Sequence, residues 1–172
     1  RDWLTLSRLE GGQLVGPRTK VDLKKTILEI LKTYEVMAAA EGIALEGVFP
    51  EEECAVAGDA NCISVVFDNL IVNAIKYNKQ NGSVRVSVNG GPQTVLIVED
   101  TGIGIAPEHQ PRVFERFYRT DSSRSKATGG TGLGLSIVKH AAEYHHGKII
   151  LKSRVGEGTA ITVVFPAYQE DA

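Results

Sequence analysis

Asn69, Asn73, Lys76 and Tyr77 follow one another at intervals of four, three and one. On a helix that spacing confines them to about 100° of the circumference. Ile63, Val66, Phe67, Leu70 and Ala74 recur around them at helical intervals, so residues 60–78 read as a helix with Asp59 or Asn61 as its cap. The polar stripe then borders the apolar one, at the edge of a core. An Asn carbonyl is a hard, neutral oxygen suited to Mg2+ when phosphates supply the charge. Lys76 can meet a phosphate, and Tyr77 can lie on a base. A solvated helix face with one amphipathic Tyr has the same pattern.

Three more groups carry chemistry. Asp100-Thr101-Gly102-Ile103-Gly104-Ile105 delivers a carboxylate from an apolar strand into a glycine turn. A carboxylate there can accept from an exocyclic amine, one way to read adenine, and the glycines let backbone approach a ligand. An ordinary Asp-Thr-Gly turn has the same composition. Gly129-Gly130-Thr131-Gly132-Leu133-Gly134-Leu135-Ser136 opens a helix. Its glycines are costly inside a helix but free N–H groups for phosphate at a helix N-terminus. The spacing is neither a Walker loop nor the dinucleotide G-x-G-x-x-G. Phe114-Glu115-Arg116-Phe117-Tyr118-Arg119 is a short amphipathic turn, suited equally to docking or to a small satellite of the core.

The remaining pattern supplies the scaffold. Residues 22–41 read as a helix capped by Asp22 and closed by Gly42, and 132–146 as a third helix. Residues 43–49, 53–58, 148–153 and 160–165 read as strands, and 83–89 with 94–100 as a hairpin around Gly90-Gly91-Pro92. A short extended piece lies around residues 13–20, after Gly11-Gly12 ends a partly helical stretch. From 101 to 131 regularity fails, apart from a helical patch near 112–118; an irregular stretch of that length is functional or disordered. Three amphipathic helices and five or more strands predict an α/β domain, one sheet covered on one face.

Composition narrows the function. At 172 residues the chain is one domain plus a little. With 42% apolar and 23% charged residues it is not disordered, collagenous or a disulfide miniprotein. A net charge of -2 offers no basic surplus for nucleic acid. No apolar run approaches the ~18 residues of a membrane helix. Cys54 and Cys62 lack metal-site spacing, and a reduced cytosolic setting is the default. Opening on Arg1-Asp2-Trp3, the chain reads as a piece of something longer.

In order, these motifs resemble the catalytic ATP-binding domain of the sensor histidine kinases: an Asn box (69–77), a first glycine box (100–104), a Phe box (114–119) and a second glycine box (130–134). NAIKYN, VEDTGIGI, FERFYR and GTGLGLSIVK are similar to that family almost letter for letter. Leu6-Ser7-Arg8-Leu9-Glu10 resembles the end of its dimerisation hairpin, which makes residues 1–12 a hairpin tail and 13–172 the catalytic domain. The resemblance implies a Bergerat (GHKL-type) two-layer α/β sandwich: a mixed, mostly antiparallel sheet of five or more strands with three helices on one face. An ATP lid would cover residues 106–130. It implies ATP and Mg2+ as cofactors. Asn73 would hold the metal, Asn69 and Lys76 would face phosphates, and Tyr77 would pack at the base. Asp100 would take the adenine amine, with Gly102, Gly104 and Ile105 shaping the pocket. Gly130, Thr131, Gly132, Leu133, Gly134 and Leu135 would line the phosphate side, and Tyr118 and Arg119 would reach the nucleotide, Arg119 at the γ-phosphate. Asn69, Asn73, Lys76 and Arg119 form the implied catalytic set.

One departure matters. None of His109, His140, His145 or His146 sits in the family's phosphoacceptor box, and all four read as surface or helix-end histidines. The expectation is a domain that gives the γ-phosphoryl to a histidine on a separate dimerisation domain, for relay to a response regulator receiver domain. The chain would be monomeric and cytoplasmic, its parent a homodimer in the bacterial cell membrane. The alternatives are an ATPase like gyrase, the mismatch-repair proteins and the heat-shock chaperones, an anti-sigma-like serine kinase, and a degenerate nucleotide-binding module. The first two resemble a box with a water-activating Glu where this chain has Asn69, and an amide is no general base. The intact Asn, Asp and glycine sets oppose the third.

Overall fold

The computed structural model describes residues 19–115 and 134–168. Its elements run β1 (Thr19–Asp22), α1 (Leu23–Ala40), β2 (Ala44–Val48), β3 (Ala55–Gly58), α2 (Ala60–Lys76), β4 (Ser83–Asn89), β5 (Gln93–Asp100), α3 (Gly134–Tyr144), β6 (Lys148–Arg154) and β7 (Gly158–Pro166), with a 3-10 turn at Gln110–Arg112. The helices start where the sequence places caps. Asp22 accepts the Lys25 N–H at 3.3 Å, and of the two candidates at the second helix it is Asp59 that accepts from Cys62, at 3.0 Å. α1 ends before Gly42, whose φ of 71° favours glycine.

Five strands form one mixed sheet in the order β2-β4-β5-β7-β6. β2 runs parallel to β4, and every other pairing is antiparallel. Alternation along β4, β5 and β6 gives the sheet a wet face and a dry one. Val84, Val86, Val88, Leu96, Val98, Ile161, Val163 and Phe165 are buried in one core with Leu23, Ile27, Phe67, Leu70, Ile137 and Ala141 of the helices. At one end the inward positions turn polar. The register places Ser153 opposite Thr159, and Thr159 opposite Asp100.

One expectation needs correcting. Residues 53–58 do not widen the main sheet: β3 pairs antiparallel with β1 as a separate two-stranded ribbon. Val21 and Val56 carry the ribbon's inner side into the core, so it closes one end of the sandwich rather than extending an edge. Ala167 bridges to Val56, and the Tyr168 N–H donates to Ala55 O at 3.0 Å.

His145 follows α3, as a helix-end residue should, but it is buried, at 3% exposure. Its Nδ1 lies 2.7 Å from Ala141 O, and its Nε2 accepts the Asp59 N–H at 3.1 Å. A carbonyl can only accept, so the proton is on Nδ1. The ring meets Phe165 edge to face, with centroids 5.9 Å apart. Ala141 and Ala142 on α3 are themselves fully buried, and His145, one turn after Ala141, lies on the same inward side, while His146 is exposed.

Both cysteines are free and buried. Burial pushes the Cys62 thiol up to about 12, which leaves it unreactive at neutral pH. Among the described residues no helix is long and apolar enough to cross a membrane.

Candidate functional site

α2 forms because its apolar residues repeat at three and four, and it buries Ile63, Val66, Phe67, Leu70, Ile71, Ala74 and Ile75. That burial orients the neighbouring stripe. Asn69, Asn73 and Tyr77 are half-buried and Lys76 is exposed. The Asn69 amide nitrogen donates to Val65 O at 2.8 Å, one turn back along the helix, which leaves its second N–H and its carbonyl oxygen to offer. The helix ends at Tyr77, whose carbonyl accepts the Ile103 N–H at 3.1 Å. This bond ties the end of the Asn stripe to the turn that follows β5.

That turn begins at Asp100. Its Oδ1 accepts the Gly102 N–H at 2.8 Å and the Thr159 N–H at 3.2 Å. Burial raises the Asp100 carboxyl to about 6, against the opposing pull of these two N–H groups. A carboxyl held this way is a fixed acceptor in a poorly solvated place, where a donor on a ligand is worth more than in water.

The two glycines of the turn are required by the chain itself. A Cβ on Gly102 would run into the Tyr77 carbonyl, and one on Gly104 into the carbonyl of Arg154. Gly104 also has a φ of 74°. Their small size therefore seats the turn against α2 on one side and the β6–β7 hairpin on the other.

Sequence reasoning missed the polar residues that lock this corner. Thr101 Oγ1 accepts the Ser83 N–H at 2.8 Å and donates to Asn78 Oδ1 at 3.1 Å. Asn78 Nδ2 donates in turn to Ser83 O at 3.0 Å. On the far side, Ser153 Oγ accepts the Ile105 N–H at 2.7 Å. Asn78 and Thr101 lie inside stretches already singled out, yet nothing in their spacing shows that they meet. Ser153 carries no sequence signal.

α3 opens at Gly134, and half-buried Leu135 packs against the core. Ser136 is fully buried and donates to Phe114 O at 2.9 Å. This fastens the Phe-box end of the loop to the helix that follows the second glycine box. Tyr118, Arg119, Gly130, Thr131, Gly132 and Leu133, most of the expected lid and the expected hairpin tail lie outside the described residues. The structure thus joins the Tyr77 end of the Asn stripe to the Asp100 turn.

The family model described as "Histidine kinase-, DNA gyrase B-, and HSP90-like ATPase" matches residues 58–169. The chain is 40% identical over 168 residues to the sensor-like histidine kinase SenX3 of Mycobacterium tuberculosis, covering 97% of this chain and 41% of that protein. It is 36% identical to the phosphate regulon sensor protein PhoR of Pseudomonas aeruginosa, over 98% of this chain and 38% of that one. The chain therefore spans about two fifths of these relatives. Among solved structures, the catalytic domain of the histidine kinase ThkA superposes with a TM-score of 0.76 at 27% identity, covering 88% of this chain and 96% of that one. A mycobacterial sensor histidine kinase, MprB, gives 0.75 at 28% identity, over 89% and 99%. The chain belongs to the histidine kinase, gyrase B and HSP90-like ATPase family, as a catalytic domain of the sensor histidine kinase type.

Proposed function

We propose that the chain binds ATP with its base at Asp100 and its phosphates along the α2 stripe, and gives the γ-phosphoryl group to a histidine on a separate dimerisation domain. The carrying observation is Asp100: a carboxyl at the end of a buried strand, raised toward 6 by burial and held by two backbone N–H groups. The base amine would donate to it. Lys76, exposed at the end of the stripe, would meet phosphate, and Asn69 would offer its second amide N–H. Arg119 and the second glycine box would complete the phosphate side.

Among the described residues no cluster of His, Cys, Asp or Glu could hold a metal ion by itself. The half-buried amide of Asn73 fits Mg2+ in another way, as a neutral oxygen beside an ion whose charge is balanced by phosphates. The ion would neutralise charge on the phosphates. The chain's own work is binding and alignment. In the transfer, an imidazole nitrogen forms a bond to the γ-phosphorus while the bond from that phosphorus to the bridging oxygen breaks, and ADP leaves.

Hydrolysis is the weaker reading, because an amide, Asn69, stands at the first position of the box, and an amide is no general base. Relay from the phosphohistidine would run to a response regulator receiver domain. The setting would be the cytoplasmic side of a membrane-bound homodimeric parent, with residues 1–12 leading from its hairpin and residues 106–130 closing over ATP. The test is radiolabelled transfer from ATP to a separately prepared dimerisation hairpin, with calorimetry for ATP and ADP. Acid-labile label on the hairpin is expected. Tight ATP binding followed by rapid phosphate release to water would favour the ATPase reading.

A further inference from the structure

Two side chains given no role above, Ser153 of β6 and Gln110 near the start of the expected lid, bind the Asp100 turn to the β6–β7 hairpin. Ser153 Oγ accepts the Ile105 N–H at 2.7 Å, lies 2.7 Å from Thr159 Oγ1, and can donate to Gly158 O at 3.0 Å. Gln110 Nε2 donates to both the Ile105 carbonyl, at 2.8 Å, and the Ser153 carbonyl, at 3.1 Å. The Ile105 residue is thus held through its N–H and its C=O at once. Thr159 continues the line, since its N–H lies on Asp100 Oδ1 at 3.2 Å. The result is an unbroken path of hydrogen bonds from the carboxyl expected to read the base to the loop that leaves the pocket.

A hydroxyl at position 153 is not what the sheet itself asks for. Ile149 and Leu151, the preceding residues of β6 on the same face, pack against the apolar core, and an alkyl side chain would continue that row. A turn with glycines at 102 and 104 has much conformational freedom to lose. Left loose, it would have to be ordered by the ligand, and affinity would fall by that cost.

Resting on the ATP reading above, we propose that Ser153 and Gln110 are positioning residues for nucleotide binding. They hold the 102–105 turn on the Asp100–Thr159–Ser153 row, so the base pocket is formed before the nucleotide arrives. Neither touches the nucleotide in this arrangement; both act through Ile105 and Thr159.

The test pairs amide hydrogen exchange with calorimetry on the full chain, using ADP as the probe. In the wild type the Ile105 amide should exchange slowly with and without ADP. In Ser153→Ala it should exchange fast in the free protein and slowly in the complex, because ADP now orders the turn. ADP affinity should fall about tenfold, the size of one lost buried hydrogen bond. Gln110→Ala should act in the same direction, and Ser153→Thr should restore both readouts. Amides of β5 and β7 should be unchanged throughout. Fast Ile105 exchange in the free wild type, wild-type ADP affinity in Ser153→Ala, or faster exchange across β5 and β7 in that variant would each overturn the proposal. A wild type that binds no ADP would overturn the nucleotide reading itself, a result distinct from tight wild-type binding with no effect of Ser153→Ala.

Discussion

At Asp100, stability and binding oppose each other. Burial lifts its carboxyl from the ordinary 3.8 to about 6, so the folded chain holds the proton more tightly than the unfolded one. The charged form then costs stability: the penalty is absent below about pH 4, grows as the pH rises toward 6, and is complete above it. Its size is on the order of 2–3 kcal/mol. Asp100→Asn keeps an oxygen for the Gly102 and Thr159 N–H groups and removes the charge. The variant should melt about 4–10 °C higher at pH 7.5, and the gain should shrink at pH 4.5, as differential scanning calorimetry would show. The same change puts an amide where a base amine needs an acceptor, so ATP affinity should fall roughly ten- to a hundredfold, with weaker discrimination against GTP. In the wild type, ATP affinity should decline as the pH falls below about 6, because the protonated carboxyl no longer offers that oxygen. A variant both more stable and fully competent for ATP would contradict this role. At Asn73 the expectation is narrower. Asn73→Ala leaves the buried side of α2 intact and removes one half-buried amide. Transfer to a supplied hairpin should be lost while ADP binding without Mg2+ changes little, and wild-type transfer rates would remove Asn73 from the mechanism.

Between elements, the decisive contacts are ones that local spacing does not reveal. The helices were legible: Asp22 and Asp59 cap them, and Gly42 follows the first. The β4–β5 hairpin was legible from its alternation and turn. The β1–β3 ribbon was not, since four-residue strands carry little pattern and their pairing joins Thr19 to Gly58. His145 is the helix-end residue its position predicts, and it also pins the N-cap residue of α2 to the end of α3, which spacing does not reveal. Gly58 makes room for it, because a Cβ there would strike the imidazole ring. His145→Leu should keep the packing volume while stranding the Asp59 N–H, costing about 1–3 kcal/mol, measurable as a lower urea midpoint. The glycines of the turn were assigned to ligand approach, and the contacts show that chain-to-chain approach also demands them. Gly104→Ala combines an unfavourable φ of 74° with a clash at Arg154. It should lower ADP affinity and the melting temperature together, and an Ala variant that binds ADP normally would show the turn to be more pliable than its contacts suggest.

For the whole molecule, the order of the motifs disclosed the architecture better than any one motif did. Each box alone fits an ordinary helix face or turn; only the sandwich brings the α2 stripe, the β5 turn and the β6–β7 hairpin to one end of the sheet. The same assembly bears on what the isolated chain can do with ATP. Asn69 stands where related ATPases resemble one another in carrying a Glu, and an amide cannot take a proton from water as that Glu would. Asp68, the neighbouring carboxylate, points about 100° away around the helix. The histidines offer no acceptor either. His145 is buried and bonded at both ring nitrogens, His140 and His146 lie within or just beyond the last part of α3, His109 precedes the 3-10 turn, and none of the four is set in an acceptor box. A bound γ-phosphoryl group would then be aligned without a nucleophile until a partner histidine docks. Incubated alone with radiolabelled ATP and magnesium, the chain should take up no acid-labile label and turn over slower than about one per minute, far below the ~1–100 per second of efficient kinases. Adding a dimerisation hairpin should start transfer. Label on the chain itself would point to an acceptor among its own histidines, and fast phosphate release would mean that another group does the work Asn69 cannot.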